Sequence, residues 1–160
     1  MAYGETMKAL SVKQPWANLI AFGKKTIETR TWSTKYRGPI LVISSAKPDI
    51  YPSGHAVTIV DIIGCREMTE EDENAACCKV YPKAKSWLLD NIRPIKPVPM
   101  KGALSIFNVP YEIGDFKTID MDFVISEMMR MEEDTKIGIV VDTDYFQWIY
   151  NIGESIQWKG

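Results

Sequence analysis

Short apolar runs separated by turn residues recur over the first 110 residues of the chain. Alternating or continuous apolar patterns of this length predict β-strands, which we place at 7–12, 25–32, 39–45, 56–65 and 103–109. Between Pro15 and Gly23 the apolar positions follow helical spacing instead. Proline favours the first turn of a helix and glycine favours its end, so a short helix is predicted there.

A second helix is predicted at 70–78, because Thr69 and Asp72 have the spacing of a capping box. An extended segment follows from Trp87. The prolines at 94, 97 and 99 exclude a helix and a central strand from the next stretch. Together these elements predict an α+β protein with a small, mostly antiparallel β-barrel and helices at its mouth.

The character of the chain changes after Pro110. Residues 111–160 hold four basic and eleven acidic side chains. Apolar spacing predicts a helix at 122–132, a strand at 136–141 and a second helix at 144–151. We interpret 1–110 as one domain and 111–160 as an acidic C-terminal α/β extension packed on it.

The formal net charge of −2 conceals an uneven distribution, since residues 1–47 carry +6 and the remainder carries −8. A basic N-terminal part can face an anion while the whole protein stays acidic. Tight, sequence-blind duplex binding needs a broader basic surface. The charge pattern therefore favours one small anionic ligand or a single strand, although solvated lysines would produce the same pattern.

No stretch approaches the ~20 apolar residues of a membrane helix, and the first residues lack a secretion signal. We therefore expect a cytoplasmic protein without a membrane partner. Cys65, Cys77 and Cys78 lack zinc-site spacing, and His55 is the only histidine. With no phosphate-cradling glycine loop either, the sequence implies no metal and no cofactor. It leaves the oligomeric state open.

One predicted strand has an unusual face. Thr26, Glu28, Arg30 and Trp32 are spaced by two, so all four side chains point the same way in a strand. A hydroxyl, a carboxylate, a guanidinium and an indole on one face indicate the lining of a pocket.

These residues also carry a family resemblance. The segments are Gln14-Pro-Trp-Ala17, Gly23-x-Lys-Thr-x-Glu-x-Arg-x-Trp32, Tyr36-Arg-Gly38, Trp87-Leu-Leu89, Val98-Pro99 and Lys101-Gly102. They resemble the signature of ASCH domains, and the resemblance covers about residues 7–110. It implies a PUA-like β-barrel whose cleft is associated with RNA or nucleotide recognition. Some bacterial relatives are amidohydrolases that deacetylate N4-acetylcytidine, and others are described as ribonucleases.

The resemblance to the amidohydrolases implies catalytic candidates. Lys25 occupies the position of their catalytic lysine, where a desolvated amine could act as a base. The relatives have a reactive threonine where this chain has Glu28, although Thr26 could substitute in part. Glu73 is our choice for their later glutamate. The alternatives are a ligand-contacting Lys25, a Glu28 paired with Arg30 and an acidic helix start at Glu73.

Several side chains are candidates for contact with a ligand. Arg30 and Arg37 suit phosphate because arginine donates in a planar fork, and Lys13 could reach the same mouth. Trp32 is the predicted stacking residue, whereas Trp16 on a helix face favours the core. The full set of predicted ligand-binding residues is Lys13, Gln14, Trp16, Lys25, Glu28, Arg30, Trp32, Arg37, Ser44, Ser45 and Lys47.

The leading hypothesis is a binding module whose basic cleft holds a nucleotide or a short single-stranded RNA. The alternative is an amidohydrolase acting on a modified pyrimidine nucleoside with Lys25 as the catalytic residue, while a ribonuclease is less favoured. A third hypothesis is a regulatory or interaction protein that uses the acidic extension.

Overall fold

A computed structural model of the protein describes residues 6–118 and Asp122. Six β-strands and two short α-helices follow one another in the described part. They are β1 (Met7–Val12), α1 (Trp16–Ala21), β2 (Ile27–Arg30), β3 (Gly38–Ser44), β4 (His55–Glu67), α2 (Glu73–Ala76), β5 (Lys85–Pro99) and β6 (Ile106–Val109). The helices and the strand predicted between 122 and 151 lie outside the described residues, apart from the exposed Asp122.

The six strands form one sheet in the order β2-β5-β4-β3-β1-β6. Only β1 and β3 pair in parallel, and the other four pairings are antiparallel. The predicted α+β class with a mostly antiparallel sheet is thereby confirmed. Closure of the sheet into a barrel stays a prediction, because β2 and β6 form its two edges.

Both faces of the sheet are covered. In β1, Leu10 and Val12 pack into one apolar cluster, which also holds the buried side of α1. Met7 and Ala9, at the alternate positions, pack into the cluster on the other face. The same alternation in β3 explains why its apolar run is continuous, since a strand buried on both faces needs no polar side.

The proline-rich stretch after residue 90 is extended and not helical, as predicted, and it forms a strand. It continues β5 and pairs with β4, with Pro94 opposite Thr58 and Pro99 opposite His55. The prolines are tolerated there because β2 pairs only with Lys85–Leu88, so the second half of β5 forms no hydrogen bonds with β2. The pairing also shifts register three times along β4, and such bulges accommodate residues without an N–H.

The predicted helix at 70–78 is shorter and divided. A 3-10 turn at Glu70–Asp72 precedes α2, and Cys77 ends the helix in the left-handed conformation. The capping box predicted for Thr69 and Asp72 is present. The left-handed conformation of Cys77 explains why the helix is shorter than predicted, because it ends regular helical hydrogen bonding there.

Asp72 connects this turn to the sheet. Its carboxylate accepts two hydrogen bonds from the Arg66 guanidinium, at 2.6 and 2.8 Å, and one from the Ser86 hydroxyl at 2.9 Å. The backbone N–H of Thr69 donates to it at 3.0 Å. The hydrogen bonds from Arg66 hold the pKa of this buried carboxyl well below its usual range.

The chain beyond Pro110 begins on the same sheet. Phe116 is buried in the second apolar cluster, and Thr118 forms a bridge with Ile95. The backbone N–H of Lys96 donates to the carbonyl of Lys117 at 2.8 Å. Residues 116–118 therefore pack against the sheet, and the division of the chain into 1–110 and 111–160 stays a prediction. Across the described part of the chain, no helix is long and apolar enough to cross a bilayer.

We predict that Asp72→Asn lowers the free energy of unfolding at pH 7 by about 1.5–3 kcal/mol, the usual worth of hydrogen bonds to a charged group. The pKa of Asp72 is lowered on folding, so its contribution is complete above the ordinary carboxyl pKa of 3.8 and declines as the pH falls below it. Urea unfolding of both proteins at pH 7 and pH 3 should show a smaller difference at pH 3. Glu70→Gln, an exposed neighbour, is the control, and a pH-independent difference would contradict the prediction.

Candidate functional site

A cavity of about 450 Å³ opens where the end of β1, the start of α1 and strand β2 meet. We call it the basic cleft. Its charged lining consists of Lys13, Lys25, Glu28 and Arg30. Two of the predicted strand-face residues, Glu28 and Arg30, therefore do line one cavity together.

Lys25 lies at the bottom of the basic cleft with only 2% of its surface exposed. Its ammonium group donates to the carbonyl of Ala76 at the end of α2. The same Nζ lies 3.6 Å from Oε1 of Glu28. The backbone N–H of Lys25 donates to the Leu19 carbonyl at 3.0 Å, which attaches this residue to the end of α1.

Glu28 stands between two cations. Its Oε2 accepts from Nε of Arg30 at 3.0 Å and lies 2.8 Å from Nη2 of the same side chain. Nη2 of Arg30 also donates to the carbonyl of Ser11 at 2.6 Å, across to β1. The result is an alternating row of ammonium, carboxylate and guanidinium whose geometry is held from three different elements.

The rim of the cleft carries an indole and a cation. Trp16 is the first residue of α1, and 37% of its surface is exposed. Its Nε1 lies 3.5 Å from the carbonyl of Cys77, at the limit of a hydrogen bond. Lys13 is exposed beside it at the end of β1. Trp16 thus occupies the rim, in contrast to the predicted core position.

A distant loop forms another wall. Ala103, Leu104 and Ser105 line the cleft, and the Ala103 N–H donates to the Ser11 hydroxyl at 3.2 Å. A Cβ added at Gly102 would lie 2.0 Å from that hydroxyl oxygen, so any larger residue there would force the Ser11 side chain to move. No local sequence pattern indicates this wall, because about 90 residues separate it from β1.

Trp32 and Arg37 lie outside the lining of the basic cleft. Trp32 packs edge-on against Trp87 with ring centroids 4.7 Å apart, and Nε1 of Trp87 donates to the Trp32 carbonyl. Arg37 donates to the carbonyls of Thr34 and Tyr36. The cause is that β2 ends at Arg30, so the alternation of side chains does not extend to these residues.

Three more predicted ligand contacts also lie outside the lining. Gln14 is buried, and its amide exchanges hydrogen bonds with Asn18 in α1. The Ser44 hydroxyl is buried beside the carbonyls of Pro52 and His55. Lys47 is exposed in the following loop. Of the residues that close β3, Ser45 lines the cleft.

The remaining catalytic candidates are separated from Lys25. Thr26 lines a neighbouring cavity. Glu73 accepts a hydrogen bond from the Val80 N–H at 2.8 Å and lies 3.7 Å from Nζ of Lys79. Several hydroxyls share the cleft with Lys25, and the one within β2 belongs to Thr29, which the sequence did not single out.

The sequence reasoning also missed Tyr81 and Cys78, which line the cleft from the segment after α2. Cys78 Sγ lies 3.8 Å from the Thr29 hydroxyl. Burial raises the pKa of the adjacent Cys77 thiol. Among the residues that the structure describes, no group of three or more histidine, cysteine, aspartate and glutamate side chains could hold a metal ion.

Comparison with known proteins identifies the class. A family model of the ASCH domain matches residues 10–99, more than half of the chain. The protein belongs to the ASCH domain family. The match spans β1 to β5 and therefore includes all four charged residues of the basic cleft.

Two relatives and two solved structures are similar to this chain. Activating signal cointegrator 1 from Homo sapiens is 34% identical across 35% of this chain and 14% of its own length. The same protein from Mus musculus is 30% identical across 40% and 15%. The chain thus spans about a seventh of these relatives.

The crystal structure of ASCH from Zymomonas mobilis superposes with a TM-score of 0.54 at 14% identity, covering 76% of this chain and 94% of its own. A single-residue variant of that protein gives a TM-score of 0.50, also at 14% identity, with 66% and 91% covered. Identity at this level supports the fold alone.

We predict that Glu28→Ala lowers the free energy of unfolding by about 3–5 kcal/mol, because it leaves the buried ammonium of Lys25 without its counter-charge. The double variant Lys25→Met with Glu28→Ala should recover part of that loss, since it removes the unpaired cation. Urea unfolding at pH 7 measures both, with the exposed Lys13→Ala as the control. Equal unfolding midpoints for Glu28→Ala and the unaltered protein would contradict the prediction.

Proposed function

We propose that this protein binds a nucleotide or a short single-stranded RNA in the basic cleft. The observation that carries the proposal is the cleft itself, a cavity of about 450 Å³ with cations inside and an exposed indole at its rim. Its volume lies within the range of small-ligand sites. Membership of the ASCH family agrees with the proposal, because the PUA-like fold is associated with RNA recognition.

The charges of the cleft suit an anion. Three cations, Lys13, Lys25 and Arg30, face one carboxylate, Glu28. Arg30 already donates hydrogen bonds to Glu28 and to the Ser11 carbonyl, whereas Lys13 is exposed at the rim. In this proposal Lys13 meets a phosphate directly, and Arg30 and Lys25 add a positive field from below.

The rim and floor suit a base. Trp16 offers an exposed indole face, and stacking of a base on such a face tolerates every base. Oε1 of Glu28 lies 3.6 Å from Nζ of Lys25, and in this proposal that oxygen accepts a hydrogen bond from a ligand donor. The hydroxyls of Thr29 and Ser45 line the same cavity. These groups would form hydrogen bonds with the edge of a base in the cleft.

A second candidate function is amide hydrolysis on a modified pyrimidine nucleoside. The observation that favours it is the buried pairing of Lys25 with Glu28 beneath an open cavity, because buried ionisable groups that line a cleft are candidates for acid–base chemistry. The reactive hydroxyl we assign is that of Thr29, one of several in the cleft lining. Thr26 and Glu73 have no part in this version of the reaction.

The acidic extension offers a third proposal, a regulatory or interaction role. Its strongly acidic composition complements the basic cleft. Residues 119–160, apart from Asp122, lie outside the described part, so this role rests on composition alone. The cytoplasmic location likewise stays a prediction from sequence.

Lys13→Ala and Trp16→Ala should weaken binding of a fluorescent single-stranded RNA, while Arg37→Ala should not. We expect Trp16→Ala to cost about 1–3 kcal/mol, the usual worth of one stacked base. Lys13→Ala should lower the slope of log affinity against log salt by about 0.7, the value for one phosphate contact on a single strand. Fluorescence anisotropy at several salt concentrations measures both effects.

Arg37→Ala is a matched control because Arg37 is exposed and basic but lies outside the cleft lining. An equal loss in all three variants would place the binding surface elsewhere. Absence of binding by the unaltered protein would refute the proposed function.

Incubation with N4-acetylcytidine, followed by chromatography for cytidine, distinguishes the binding module from the hydrolase. The binding proposal expects no cytidine from the unaltered protein. Cytidine that disappears in Lys25→Met and in Thr29→Val, but persists in Thr26→Val, would establish the amidohydrolase. Product formation that depends equally on Thr26 would contradict the role given to Thr29.

A further inference from the structure

A second cavity of about 680 Å³ adjoins the basic cleft. Its lining includes Trp16, Lys24, Thr26, Asn74 and Cys77. Trp16 is the one residue that lines both cavities. The indole therefore stands at their boundary, and one ligand could contact it from both cavities.

Two chain segments cross this boundary and alternate between the cavities. Lys25 lines the basic cleft, whereas its neighbours Lys24 and Thr26 line the second cavity. Cys78 lines the cleft and Cys77 lines the second cavity. Because consecutive residues point into different cavities, the backbone of these two segments separates the second cavity from the basic cleft.

The lining of the second cavity also suits a nucleotide. Among the described residues that form it, Lys24 is the one charged side chain, and it is exposed. Asn74 and Thr26 add an amide and a hydroxyl for hydrogen bonds. No carboxylate of the described lining opposes an anion, in contrast to Glu28 in the basic cleft.

We infer that the second cavity holds the nucleotide adjacent to the one in the basic cleft, so that a single strand crosses Trp16. Lys24 would pair with its phosphate, and the exposed indole would offer a stacking surface to the base beside it. The inference rests on the proposed function of the basic cleft. It adds that the ligand is a chain of at least two nucleotides rather than a mononucleotide.

The test compares ligand lengths by calorimetric titration. Adenosine, cytidine and uridine 5′-monophosphates and the hexanucleotides of the same bases serve as probes for the full chain. We expect the best hexanucleotide to bind about 10-fold or more tightly than its mononucleotide, as one further stacked base would provide. Lys24→Ala should remove most of that advantage and leave mononucleotide affinity unchanged.

Two control variants separate the possible outcomes. Lys35→Ala removes an exposed lysine outside both linings and should change neither affinity, and Lys24→Arg should retain the advantage of the hexanucleotide. If mononucleotides bind but the hexanucleotide has no advantage, or if Lys24→Ala leaves that advantage intact, the inference is overturned and the proposed function stands. If neither length binds, the proposed function itself fails.

Discussion

The buried ammonium of Lys25 is the constraint around which this part of the molecule is organised. A cation with 2% exposure is stable only where acceptors surround it, and they come from different parts of the chain. The Ala76 carbonyl comes from α2, and the carboxylate comes from Glu28 in β2. These elements can approach because α2 ends at Cys77 in a left-handed conformation, which turns the chain away after Ala76.

Much of the fold could be predicted because its signals are local. Continuous apolar runs gave β1 and β3, and a capping box marked the turn before α2. The long β5 could not be predicted, because its prolines are tolerated only where β2 stops pairing and where β4 is bulged. Those conditions depend on partners that are distant in sequence, so propensity alone points the other way.

The candidate site could likewise be predicted only where the signal lies within one element of secondary structure. Glu28 and Arg30, two residues apart within β2, do line the cleft together, but Thr29 lines it as well although the alternation places it on the opposite face. The two-residue spacing failed for Trp32, which lies beyond the end of that strand and packs on Trp87. The positions of the two tryptophans differ from expectation, since Trp16, the first residue of the short α1, lines the rim of the cleft. Side-chain alternation predicts a shared face only within a strand or helix. Here the ends of β2 and α1 determine which of the predicted residues line the cleft.

The arrangement of charges also bears on whether the cleft only binds a ligand or also catalyses a reaction on it. Burying a lysine and a glutamate is costly, and an apolar pair would stabilise the domain as well or better. Their position beneath an open cavity agrees with the proposed binding function. A general base would need its nitrogen free to take a proton, yet Nζ of Lys25 already donates to the Ala76 carbonyl and faces Glu28. A donor role for Lys25 uses this geometry as it stands, whereas hydrolysis would require the side chain to leave its partners. The arrangement therefore favours recognition of an anionic ligand over chemistry on it.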